Sequence, residues 1–131
     1  MLVDTSVWID FVRGRATGAV ERLQAALDHG VSVALTSFIY QELLQGADSE
    51  RSMRELEAYF GGQRFLHPVD PIASHARAAR LFFDCRRKGR TVRSTVDCLI
   101  AQIAIEHDVA LLHDDRDFAE IASVAPKLRF A

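Results

Sequence analysis

Hydrophobic positions along the 131-residue chain switch repeatedly between short continuous runs and helical spacing. Leu2-Val3 is an apolar run ending at Asp4, after which Thr5 or Ser6 offers a cap for a helix carrying Val7, Trp8, Ile9, Phe11 and Val12. A second helix, from about Gly18 to His29, puts Val20, Leu23, Ala26 and Leu27 on one stripe, and Gly30 stops it. Val31 to Leu35 reads as the next strand. Ser37 is the expected cap of a helix over Phe38 to Gln45, and Gly46 to Ser49 separates it from a helix over about Glu50 to Phe60.

Phe65 to Val69 is the weakest strand, because Pro68 interrupts it. Pro71 opens a long helix whose stripe of Ile72, Ala76, Ala79 and Phe83 is expected to face the core, ending near Gly89. Ser94 to His107 is helical again, Val109 to Leu112 is a buried strand, a short helix begins around Asp117, and Leu128 to Phe130 makes a last strand. Strands alternating with helices predict an α/β fold with a parallel sheet, helices on both faces and one domain over residues 1–131. In such folds sites form beyond the carboxyl ends of the strands.

The placement of acids gives this scaffold a candidate chemistry. Asp4 falls at the end of the first strand, and Asp114, Asp115 and Asp117 follow the strand that ends at His113. Asp97 lies in a helix that is apolar nearly all round, on one stripe with Ile100, Ala101 and Ala104. Glu42 repeats the pattern among Phe38, Ile39, Tyr40, Leu43 and Leu44. A carboxylate in such surroundings needs a compensating cation or shifts its pKa. The chain has only two lysines, Lys88 and Lys127, and Arg93 alone stands one turn from Asp97. Oxygen-only ligands favour Mg2+ or Mn2+ over zinc.

Each acid also has a structural reading. Asp4 can cap the first helix, Asp97 stands at capping-box spacing from Ser94, and Asp117 makes the same pattern with Glu120 and is read first as a cap. Asp114 reads as a solvated loop acid, and the five histidines show no ligand spacing.

Composition narrows the classes without choosing among them. A formal charge of -2 gives no global basic field, so any nucleic-acid contact must be local. The one dense basic run, Arg86, Arg87, Lys88, Arg90 and Arg93, is either a solvated helix end or a grip on phosphates beside the acids. Cys85 and Cys98 have no metal-site spacing and are expected to be reduced and buried. No signal-peptide pattern and no membrane-length apolar run is present, which predicts a cytoplasmic protein with no membrane contact.

Taken together, Leu2-Val3-Asp4-Thr5-Ser6-Val7-Trp8-Ile9, Tyr40-Gln41-Glu42-Leu43, Asp97-Cys98-Leu99-Ile100-Ala101 and His113-Asp114-Asp115-Arg116-Asp117-Phe118 resemble a PIN-domain nuclease across the whole chain, and its size resembles the VapC toxins of toxin–antitoxin modules. The resemblance implies a three-layer α/β/α sandwich with a parallel, about five-stranded sheet. It implies a homodimer, Mg2+- or Mn2+-dependent cleavage of RNA, with transfer or ribosomal RNA as targets, and neutralisation by a VapB-type antitoxin. It places the acidic positions on Asp4, Glu42, Asp97 and Asp115, with Asp117 as a fifth, and a supporting hydroxyl on Ser6. The doubled Asp114-Asp115 leaves open which of the two faces the metal. Two other readings compete. A receiver-type phosphoryl-transfer domain would need a lysine at a late strand end, whereas Lys127 precedes the last strand. A non-catalytic RNA- or protein-binding module would use the acids to hold a structural metal or a partner's arginine.

Overall fold

A computed structural model describes residues 1–131. Four two-residue strands, β1 (Leu2–Val3), β2 (Ala34–Leu35), β3 (Arg64–Phe65) and β4 (Leu111–Leu112), form one parallel sheet in the order β3-β2-β1-β4. β1 matches its apolar run, β2 and β4 are shorter than theirs, and β3 overlaps the expected Phe65 to Val69 segment only at Phe65. The last expected strand, at Leu128 to Phe130, reduces to a single parallel bridge between Phe130 and Leu111, so the sheet has four strands and a bridge where about five strands were expected. β1, β2 and β4 are fully buried, which is why they read as unbroken apolar runs with no alternation.

Seven helices cover this sheet: α1 (Thr5–Val12), α2 (Gly18–Asp28), α3 (Ser37–Gln45), α4 (Glu50–Gly61), α5 (Pro71–Arg87), α6 (Thr95–Glu106) and α7 (Arg116–Ala122). Their starts follow capping chemistry. Thr17 caps α2, and Ser49 caps α4 through a reciprocal box with Ser52. Asp70 caps α5 with Pro71 in the first turn. Three caps differ from expectation. α1 is capped by Asp4, and Thr5 and Ser6, offered as its cap, are its first two helical residues. α3 is capped by buried Thr36, whose Oγ1 accepts from the Ile39 N–H, and Ser37 becomes the first helical residue. At α7 the cap is Asp115, which accepts from the Asp117 N–H, so Asp117 is freed from capping.

One continuous core joins the sheet to its helices, with Trp8, Phe60 and Phe118 as its largest fully buried side chains. Trp8 meets Phe60 edge to face, which ties α1 to α4. α6 is the central helix of its layer: Cys98, Ile100, Ala101, Gln102, Ile103 and Ala104 are all buried. The expected core stripe of α5 is corrected. Ser74, Ala78, Leu81 and Cys85 pack inward, while Ile72 is 85% exposed and Phe83 48% exposed. α5 is apolar on more than one side, and the docking surface of α6 selects the row of Ser74, Ala78, Leu81 and Cys85. No helix is long and apolar enough to cross a membrane.

The strand order reverses between β1 and β4. Both carboxyl ends therefore flank one crevice, and the Asp4 N–H bonded to the Leu112 carbonyl (2.9 Å) holds its two lips together.

Candidate metal centre

Three helices begin at this crevice, and each brings an acid in its first turn or at its cap. Asp4 is the cap of α1, Asp97 lies in the first turn of α6, and Asp115 and Asp117 are the cap and first-turn acid of α7. The partial positive charge of unbonded N–H groups at a helix start favours a carboxylate there, so the backbone offsets part of the repulsion among these acids. Glu42 comes instead from the middle of α3 and has no such help. It is positioned by Thr5, whose Oγ1 donates to Glu42 Oε1 at 2.8 Å.

One cavity of about 420 Å3 gathers the set. Its lining is Asp4, Thr5, Ser6, Glu42, Arg93, Ser94, Asp97, Asp115 and Asp117, with no apolar residue. All five acids named from sequence thus share one space. Asp114 is exposed outside it, which separates the roles of the doubled pair. Ser6 Oγ donates to Asp4 Oδ2 at 2.8 Å and accepts from the Asp114 N–H at 3.4 Å, so this hydroxyl fixes one carboxylate and links it to the loop after β4.

The structural readings of these acids separate at this level. Asp4 does cap its helix, accepting from the Ser6 N–H at 3.3 Å, yet the same side chain faces the cavity. Ser94 makes no capping bond, so no capping box accounts for Asp97. Asp117, expected as a cap, is 3% exposed and receives the Arg93 N–H at 3.1 Å and Nε at 3.3 Å.

The electrostatics follow from crowding. Burial raises the carboxyl of Asp97, and Asp4, Asp115, Asp117 and Glu42 add to the effect by like charge, pushing it up to about 7. Burial also raises Asp4, against the opposing bonds from Ser6. Asp97 is thus the acid whose ionisation all four others oppose. Asp97, Asp115 and Asp117 can each offer one oxygen within 4.8 Å of the others, a spacing and donor chemistry that fit a hard divalent cation.

Of the basic run, only Arg93 lines this cavity. Arg86 turns to the Phe82 ring (5.8 Å) and Arg87 to Phe83 (5.7 Å), while Lys88 and Arg90 line an adjoining cavity. Lys127 is exposed and away from the acids, which leaves the receiver reading without its lysine. No histidine enters the site. The sequence reading missed Thr5 as the holder of Glu42 and Arg116 in the adjoining cavity. The only signal for Thr5 was a hydroxyl directly after a strand-end acid, and nothing local marked Arg116.

The PIN domain profile matches residues 1–124. Ribonuclease VapC11 of Mycobacterium tuberculosis is 38% identical over 127 residues, 95% of this chain and 92% of that protein. Ribonuclease VapC4 of the same organism is 30% identical over 123 residues, 94% of this chain and 92% of that protein. Among solved structures, VapBC-1 of nontypeable Haemophilus influenzae superposes with a TM-score of 0.72 at 21% identity, covering 99% of this chain and 95% of that chain. VapBC2 of Rickettsia felis, solved bound to a promoter DNA fragment, gives 0.71 at 17% identity, covering 99% and 96%. Matching architecture, matching length and identity across nearly the whole sequence make this chain a PIN-domain protein of the VapC ribonuclease family.

Proposed function

We propose that the chain is one nuclease domain over residues 1–131 that cleaves RNA internally, using Mg2+ or Mn2+ held by Asp4, Asp97, Asp115 and Glu42, with Asp117 joining them. The observation that carries this reading is the single cavity in which five acids converge with no apolar wall. A divalent cation bound there supplies charge neutralisation for the phosphodiester and a more acidic water. The chain's own residues do the rest. Asp97 and Asp4 give the charge that holds the ion, Ser6 keeps Asp4 in one rotamer, and Thr5 keeps Glu42 turned toward the cavity. Arg93, at the rim, offers the RNA backbone an opposite charge.

The decisive experiment is incubation of purified protein with total RNA in Mg2+, in Mn2+ and in EDTA, beside Asp4→Asn and Asp97→Asn. Cleavage only with metal, lost in both variants, is expected. Tight RNA binding without cleavage in every condition would instead favour a non-catalytic module. Sequencing the fragment ends then names the target.

We further propose cytoplasmic action, in keeping with the free, buried Cys85 and Cys98, and control by a VapB-type antitoxin. An apolar groove lined by Ile9, Val12, Leu43 and Leu56 shares Glu42 with the acid cavity, so a protein seated there closes the approach of RNA. A homodimer is proposed through α5 and α6. There, exposed Ile72 and Phe83 adjoin a depression walled by Ala79, Phe82, Val96 and Leu99.

A further inference from the structure

Arg93 stands between two cavities. One is the acid cavity; the other, about 530 Å3, has no apolar residue in its wall and shares Arg93 and Asp117 with the first. Its cations are Lys88, Arg90 and Arg116. Arg90 is paired with Glu120 at 3.2 Å, whereas Lys88 and Arg116 make no salt bridge.

Arg93 is attached to the acids in two separable ways. Its backbone N–H holds Asp117 Oδ2 at 3.1 Å whatever the side chain does. The guanidinium reaches both Asp117 oxygens at 3.3 Å and Asp115 Oδ1 at 3.5 Å, long contacts for a charge-assisted bond, from a side chain 57% exposed. Asp115 and Asp117 are also two of the three carboxylates whose oxygens can converge on one ion with Asp97. A divalent cation and a guanidinium cannot share those oxygens without strong like-charge repulsion.

We infer that Arg93 is a displaceable counter-ion: it occupies Asp115 and Asp117 until a metal takes them, then turns into the adjoining cavity and, with Lys88 and Arg116, holds an RNA phosphate beside the one being cleaved. The inference rests on the nuclease reading of the acid cavity. Asp117 stays in place during the exchange because the backbone bond persists. Linkage then requires that metal tighten RNA binding and RNA tighten metal binding by the same factor.

The test uses the full chain, wild type beside Arg93→Gln and Arg93→Lys. Mn2+ affinity is measured by calorimetry without RNA. Affinity for a short fluorescein-labelled 2′-O-methyl oligonucleotide, checked intact on a gel, is measured by anisotropy with and without Mn2+. Arg93→Gln should bind Mn2+ roughly three- to fivefold tighter than wild type, the range an exposed ion pair allows. It should also lose the Mn2+-dependent gain in oligonucleotide affinity that wild type shows, and Arg93→Lys should keep part of both behaviours. Equal or weaker Mn2+ binding by Arg93→Gln would mean that Arg93 only positions the carboxylates, and an undiminished gain would remove its phosphate role; either overturns the inference. Wild type that takes up no Mn2+ refutes the nuclease reading itself, whereas wild type that binds Mn2+ no differently from Arg93→Gln refutes the inference alone.

Discussion

α5 and α6 pack against each other over much of their length, and each breaks the usual rule of burial in the opposite sense. α6 carries a half-buried acid on a row whose other members, Ile100, Ala101 and Ala104, are core. α5 leaves Ile72 and Phe83 in water while burying Ser74 and Ala78. The first anomaly asks for a cation and the second for an apolar surface. A monomeric chain without ligands supplies neither, so both helices point to something outside the chain.

The largest expected effect breaks the comparison on α6. Asp97→Asn should lower RNA cleavage by at least about a hundredfold, the scale on which removing one key electrostatic group acts. Asp4→Asn should do likewise, and because Asn caps helices as well as Asp does, α1 should stay folded. Full activity in either variant, with metal present and circular dichroism unchanged, would remove the metal centre from consideration.

On α5 the comparison is sharpened by two leucine-sized truncations on opposite sides of one helix. Leu81→Ala, on the side that packs on α6, should destabilise the fold by about 2–3 kcal/mol in urea denaturation. Ile72→Ala should change the stability of the monomer by less than about 0.5 kcal/mol. Ile72→Glu should leave the fold intact and shift the chain from dimer to monomer in light scattering coupled to size exclusion. A dimer that survives Ile72→Glu and Phe83→Glu would place the second copy on another face.

These two helices also show how much of the molecule was legible in the sequence. α6 could be read because an all-round apolar helix has no choice of face, and its one acid is conspicuous. The inward face of α5 could not, since Ile72, Ala76, Ala79 and Phe83 form as good a stripe as Ser74, Ala78, Leu81 and Cys85. Only the complementary surface of α6 selects between them. The same limit applies within the site. Asp4, Asp97 and Glu42 stand out by a strand end or apolar neighbours, whereas Asp115 is separated from Asp114 only by the family resemblance, and the capping roles of Asp115 and Asp117 depend on a two-residue shift of the cap of α7. That Arg93 lies over Asp117 is a contact across 24 residues of sequence, set by tertiary packing alone.

The smallest effect concerns the pH dependence of stability in the absence of metal. The Asp97 carboxyl stands at about 7 in the folded protein against 3.8 as its ordinary value. The folded state therefore holds this proton more tightly than the unfolded chain does, and stability from this group is full below about pH 4 and lost as pH rises toward 7. Asp97→Asn has no proton to lose. Its melting temperature should match wild type near pH 4 and exceed it at pH 8 by roughly 3–5 °C, corresponding to about 1 kcal/mol once solvent screening of a half-exposed group is allowed for. Taking the difference between the two proteins removes His113, whose lowered value acts at acid pH instead, but keeps Asp4, whose charge is one of those that raise Asp97, so the difference reports the two coupled carboxyls together. Mn2+ should reverse the order at pH 8, because only wild type can exchange the burden of an ionised Asp97 for a bound cation. A variant no more stable than wild type at pH 8 without metal would show that the helix starts already neutralise the cluster, and the need for a cation inferred from α6 would go with it.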